Sequence, residues 1–150
     1  MKALSLWEPW ASLMRVGAKT IETRSWGTSY RGPLLICASK HRDRETLEVL
    51  RDPEFKRGLA PLLKPDDTTL GDLVGHLAFG KAVCVVTLDA CELTQDIDPG
   101  MERPFGDYTP GRFAWVTNNL RQIEPFALSG HQGLFNVDYA LPPPAAGRPA

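Results

Sequence analysis

The sequence predicts an α+β fold, a small mixed β-barrel or curled sheet of five to seven short strands with one or two main helices. Three observations predict it. The strongest apolar segments, PLLICA and KAVCVVTL, are of strand length and rich in residues that favour strands. Segments carrying Gly, Pro and Asn separate the apolar runs. Only two stretches carry helical spacing. A chain of 150 residues, 43% apolar and 23% charged, fits one globular domain. At that size roughly 68–70% of the unfolded surface is buried, so no disulfide or metal staple is required.

In order along the chain, residues 3–6 (ALSL) form a strand closed by Trp7, Glu8 and Pro9. Pro9 suits the first position of a helix, where a missing N–H costs nothing. Trp10, Leu13 and Met14 then share one helical face, and Gly17 stops it. Residues 19–24 (KTIETR) favour a strand or extended turn. Trp26 to Arg31 is loop-like, and 33–38 (PLLICA) is a strand buried on both faces. Residues 41–50 read as a helix with Leu47 and Leu50 inward, ended by Asp52-Pro53. Residues 53–72 read as an insertion with little regular structure.

Residues 81–88 (KAVCVVTL) are the strongest strand. Residues 94–111 form a long polar loop, a length that often marks function. Residues 112–116 (RFAWV) alternate as a strand, Asn118-Asn119 turns it, and 123–128 and 134–139 are two further strands. The expected division is a domain over 1–140 and a frayed, Pro-rich tail over 141–150.

The three cysteines, Cys37, Cys84 and Cys91, have no paired spacing, and the first two lie inside apolar runs. This pattern points to a reducing cytoplasm. The first ten residues include Glu8 and Pro9 and do not make a secretory segment. No apolar run approaches the ~18 residues of a membrane span, so the expectation is a soluble cytoplasmic protein without membrane partners. The net charge of −1 argues against binding duplex nucleic acid by bulk electrostatics. The distribution is uneven: residues 1–57 carry eleven Lys/Arg against seven Asp/Glu, the remainder six against eleven. A local positive patch from the N-terminal third follows, or simply a solvated face.

His41, His76 and His131 bear no ligand spacing to the cysteines, so neither metal nor cofactor is expected. Phosphate-loop, dinucleotide and serine-hydrolase motifs are missing from the sequence. What stands out is SLWEPW…GAKTIETRSW, with three of the four tryptophans, Trp7, Trp10 and Trp26, inside twenty residues. Tryptophans beside Lys19, Arg24 and Arg31 make a surface for base stacking and phosphate. Trp10 alone reads better as a core anchor.

Lys19, Glu22 and Arg24 can form a charged constellation. On an ideal strand Lys19 and Glu22 face opposite ways, so they converge only if the backbone turns between them. In a cleft such a pair can transfer protons; on open surface it is an ion pair worth ~0–1 kcal/mol. Arg112 follows a glycine-containing loop with Asp107 and Tyr108, which reads as a lid or as a hairpin connection. Ser39 and Lys40 follow the PLLICA strand, where a barrel delivers polar groups to one end.

Together these segments resemble the ASCH (activating-signal-cointegrator homology) domain family, which has a PUA-like fold. The resemblance rests on SLWEPWASLMRVGAKTIETRSW, YRGPLLICASK, FGKAVCVVTLDAC and PGRFAWVTNNLRQIEPFALSGHQGLFNV, above all on Gly17, Lys19, Glu22 and Arg24 in the pattern G-x-K-x-x-E-x-R. It implies a pseudobarrel with one polar cleft, a role in RNA or nucleotide binding, and activity on small molecules in some members. Some bacterial members are amidohydrolases that deacetylate N(4)-acetylcytidine, through a lysine matching Lys19, a threonine three residues later and a glutamate. This chain departs from them: Glu22 occupies the threonine position, with Thr20 and Thr23 flanking it, and Glu102 is the candidate for the glutamate.

Two functions follow as expectations. One is a metal-free hydrolase of a modified nucleoside or RNA, with Lys19 and Glu22 in proton transfer and Arg24 or Lys40 stabilising negative charge. The other is a module for RNA, single-stranded nucleic acid or a modified nucleoside, with Trp7 or Tyr108 stacking and Arg24, Lys40 and Arg112 on phosphate. Trp10, Thr23 and Ser39 complete the expected binding set. Both require the Lys19 ammonium to point into one hollow with its acidic and guanidinium neighbours.

Overall fold

The β-branched and alternating segments assemble into one six-stranded mixed sheet in the computed structural model, which describes residues 1–142. The strands are β1 (Lys2–Leu6), β2 (Ile21–Arg24), β3 (Gly32–Ala38), β4 (Lys81–Leu93), β5 (Phe113–Ala127) and β6 (Leu134–Asn136). Their order is β2-β5-β4-β3-β1-β6. Only the β1–β3 pair is parallel. The sheet curls into a half-barrel, consistent with the α+β, PUA-like architecture expected. Of the tail expected over 141–150, residues 143–150 lie outside the described residues.

β3 shows why a continuous apolar run was needed. Leu34, Ile36 and Ala38 enter a core that includes Leu4, Met14, Leu88 and Trp115, while Leu35 and Cys37 enter a second core with Ala3 and Val85. Alternating side chains thus fill both faces of one strand.

β5 corrects the sequence reading. The Asn118-Asn119 pair does not end a strand; β5 runs unbroken through it, with Asn119 at φ 54°. Its pairing with β4 shifts register between Ala82 and Cys84, Val85 and Thr87, and Leu88 and Ala90. Such irregularities bend and twist long strands, here allowing two to curl. The Asn side chain suits the one left-handed position.

The helical layer is larger than expected. It comprises α1 (Trp10–Arg15), α2 (Arg44–Leu47) continued by a 3₁₀ turn to Arg51, α3 (Pro53–Leu59) and α4 (Leu70–Val74). The 41–50 segment is therefore two short pieces rather than one helix, and 53–72 is not an irregular insertion. Phe55 and Leu59 from α3 and Leu73 from α4 join Leu13, Leu47 and Leu50 in a third core. Side-chain caps supply what length does not: Asp43 and Asp52 accept from backbone N–H groups, and Thr69 and Asp72 form a capping box. The 94–111 segment contains 3₁₀ turns at Thr94–Asp96 and Gly100–Phe105 and buries Thr94 and Phe105. Among the described residues no helix is long and apolar enough to cross a membrane.

Candidate nucleic-acid cleft

α1 begins against β1 through a buried carboxylate. Glu8 accepts from Ser12 N (2.8 Å), Ser12 Oγ (2.6 Å) and Ala78 N (2.8 Å), tying the helix start to the segment before β4. Pro9 takes the N-cap position, one residue before the expected place. This geometry fixes Trp7 and Trp10 at the end of β1. β2 approaches the same end from the opposite edge of the sheet, and the loop before β5 lies across it. Between them is a cleft of about 650 Å³, lined by Ser5 to Trp7, Trp10, Glu22, Thr23, Arg24, residues 104–107 and Arg112.

The charged constellation exists, but with Lys19 beneath it. Lys19 precedes β2, so strand alternation does not separate it from Glu22, and its Nζ lies 3.2 Å from Glu22 Oε1. The ammonium is only 1% exposed and also donates to Ile21 O (2.6 Å) and Phe105 O (3.0 Å). All three of its donors are thereby used. The expectation that it points into the hollow is corrected: Glu22 faces the cleft and Lys19 supports it from behind.

Arg24 Nε stands 3.6 Å from Glu22 Oε2, and its Nη2 donates to Ser5 O at 2.7 Å. Burial pushes the Arg24 guanidinium below its usual pKa; Glu22 opposes the shift and Arg112 adds to it. Arg24 and Arg112 line the same cleft. Arg112 is balanced by Asp107, whose carboxylate lies 3.5 Å away. The side-chain and backbone donors of Thr109 hold the Asp107 carboxyl below the usual range. The Nε atoms of Arg24 and Arg112 are buried and have no hydrogen-bond partner among the described residues.

The loop over the cleft is fastened to β2. Asp107 N donates to Thr23 Oγ1 (2.9 Å), while Glu102 accepts from Thr20 N (2.5 Å), Thr20 Oγ1 (2.6 Å) and Ile21 N (3.0 Å). Glu102 is thus a loop clasp rather than a lining group. Tyr108 backs the rim, and burial, reinforced by Glu102, pushes its phenol up to about 12.

The other expected residues divide. Trp7 is 51% exposed and stacks on His41, with ring centroids 3.9 Å apart at 15°. Trp10 meets Phe55 edge-on and packs against two cores, so it is both anchor and cleft wall. Trp26 packs against Trp115 instead. Ser39 and Lys40 do not line the cleft: Ser39 Oγ accepts from His41 N, and the Lys40 stem lies over Gly80. Sequence reasoning missed Ser5, Leu6 and residues 104–106, which contribute largely backbone and shape, and it missed the bracing role of Glu8. A buried acid before a helix-opening proline was the available signal for the last.

Fold and cleft together define a small PUA-like α+β domain whose one end presents paired arginines, a carboxylate and two indoles. The comparisons agree. The ASCH domain model matches residues 4–126, and the chain belongs to the ASCH domain family, a PUA-like group associated with RNA binding. It is similar to activating signal cointegrator 1 of Homo sapiens, 34% identical over 144 residues, and of Mus musculus, 28% identical over 141. Each alignment covers 90% of this chain and 22% of the relative, so the chain spans about a fifth of those proteins.

Proposed function

We propose that the cleft holds one nucleotide unit of RNA or single-stranded nucleic acid, or a modified nucleoside. The observation that carries this reading is the placement of two guanidiniums, Arg24 and Arg112, on the same concavity as the indoles of Trp7 and Trp10. An anionic group in the cleft gains charge-assisted hydrogen bonds from guanidiniums on its wall. An indole face stacks on a base, a contact worth about 1–3 kcal/mol. Glu22, held by Lys19 and Arg24, offers an acceptor to base N–H groups.

Titration of tryptophan fluorescence with 5′-mononucleotides and the matching nucleosides tests it. Saturable binding is expected, tighter for the phosphorylated series. Arg112→Gln should weaken that series by about 10- to 100-fold, the scale of a charge-assisted hydrogen bond, while moving the nucleosides little. Failure of both series to saturate rejects the reading.

The 3.2 Å contact between Lys19 and Glu22 favours a second reading, amide hydrolysis of the N(4)-acetylcytidine type. Glu22, held in place by Lys19, would take a proton from the water that adds to the acetyl carbonyl and return it to the ring amine as the C–N bond breaks, so that water and amide become acetate and free cytidine. Incubation with N(4)-acetylcytidine, comparing wild type with Glu22→Gln, decides it: release of acetate by wild type and its loss in the variant are expected. Glu22 is the better site to change because Lys19 also holds the fold.

A further inference from the structure

We infer that His41 is a positioning residue for the ligand of the cleft: it backs one face of the Trp7 indole, so that the opposite face is held ready to stack on a base. The inference rests on the nucleotide reading of the cleft given above, and it assigns the stacking to Trp7 rather than Trp10. The parallel register of β1 and β3 sets Leu6 beside Ala38. The chain therefore leaves both strands at the same end, as Trp7 from one and as Ser39 to His41 from the other. Ser39 joins the two exits: its N–H donates to Leu6 O (2.8 Å), and its Oγ accepts from His41 N (3.0 Å).

Three observations make His41 a support for the indole. First, the two rings lie nearly parallel, with centroids 3.9 Å apart at 15°. Secondly, both rings hang from fixed points. Trp7 O accepts from Ala11 N (3.1 Å), and the buried Glu8 follows it. Asp43, itself fixed by capping α2, places Oδ2 3.5 Å from His41 Nε2. Thirdly, Trp7 lines the cleft and is 51% exposed although His41 covers one of its faces, so what remains for a ligand is the other face and the edges. Trp10 is instead taken up by packing against Phe55 and two cores. An exposed indole without backing loses rotamer freedom when a base stacks on it, and ordering one such side chain weakens binding by about 3- to 10-fold. Backing by the imidazole imposes that order before the ligand arrives. His41 does not itself line the cleft, so it acts through Trp7.

Isothermal titration calorimetry tests this with 5′-mononucleotides and with ribose 5-phosphate, which has no ring to stack. The proteins compared are wild type, Trp7→Ala, His41→Ala, His41→Phe and the Trp7→Ala/His41→Ala double variant. Neither side chain is buried, and matching thermal melts establish that the variants are folded. Trp7→Ala should weaken mononucleotide binding by about 10-fold, the scale of one base–aromatic stack. His41→Ala should weaken it by about 3- to 10-fold. His41→Phe, which keeps a flat ring against the indole, should restore most of that loss. The double variant should bind no more weakly than Trp7→Ala alone, because the effect of His41 passes through Trp7. Ribose 5-phosphate should bind alike in every variant. Wild-type mononucleotide affinity in His41→Ala, no recovery in His41→Phe, or losses that add in the double variant overturn the role of His41 and leave the cleft reading intact. A parallel loss of ribose 5-phosphate affinity places the defect in the cleft as a whole and also overturns it. Failure of every mononucleotide to bind wild type overturns both readings.

Discussion

Lys19 and Glu8 are two charged side chains that the fold takes almost completely out of water, each 1% exposed. Both are matched by partners, as burial of an ion requires. Lys19→Met would leave Glu22 without its ammonium and two carbonyls, Ile21 O and Phe105 O, without their donor. Breaking a buried pair from one side costs about 3–5 kcal/mol, so urea denaturation should show a loss of that order. A loss under ~1 kcal/mol would mean that Lys19 does not fasten the 105 loop. The motif containing Lys19 was legible in the sequence, but its burial was not, because Phe105 is 86 residues distant. The burial of two cysteines was legible: both sit in apolar runs, and burial pushes the Cys37 and Cys84 thiols up to about 12. Native protein should therefore react with a thiol reagent at pH 8 at no more than Cys91, and at all three thiols in denaturant.

Element boundaries were hardest to read where backbone geometry decided them. Asn118-Asn119 has turn composition, yet pairing with β4 around it, Leu88 with Thr117, Thr87 with Asn118 and Val85 with Arg121, carries the strand through it. Asn119 pays only locally, by adopting φ 54°. Asn119→Gly should leave stability within a few tenths of a kcal/mol, whereas Asn119→Val should cost about 1–2 kcal/mol, the penalty of left-handed backbone at a residue with a full Cβ. Equal urea midpoints for the two variants would contradict this. Short helices escaped for a related reason: α3 and α4 have too few residues to display a period, and their stability comes from caps and from burying Phe55, Leu59 and Leu73. The loop before β5 was recognised by length alone. Its close fit at Gly106 was not, since a Cβ there would lie 2.9 Å from Tyr108 and 3.1 Å from Thr23. Gly106→Ala should thus shift the cleft rim and weaken mononucleotide binding by about 10-fold, the free-energy equivalent of roughly 1.4 kcal/mol. Unchanged affinity would show the rim to be compliant.

At the scale of the whole molecule, the curled sheet was readable from strand count, and Arg24 of the basic N-terminal third meets Arg112 at one cleft. Titration extends that description to pH. Asp43, Asp72 and Asp107 are held below their usual pKa of 3.8, chiefly by hydrogen bonds to their carboxylates. Such groups bind protons more weakly folded than unfolded, so their stabilisation is present above the ordinary carboxylate range and disappears as pH falls through the lowered native values. Cys37 and Cys84 act in the other direction. Their thiols move from 9.0 to about 12 because burial penalises the thiolate, so the unfolded chain loses these protons first. Their contribution is intact below pH ~9 and is lost as pH rises toward 12. Tyr108, raised from 10.0 to about 12, adds to the same alkaline limb. The urea midpoint should therefore be level from about pH 5 to 8 where these groups are concerned, fall below pH ~4, and fall again above pH ~9. A Cys37→Ala/Cys84→Ala variant, lower in stability throughout from lost packing, should show a shallower alkaline limb with its acid limb unchanged. A midpoint that stays constant from pH 7 to 10.5 in wild type would show that these thiols and the phenol ionise as readily in the folded protein as in the unfolded chain.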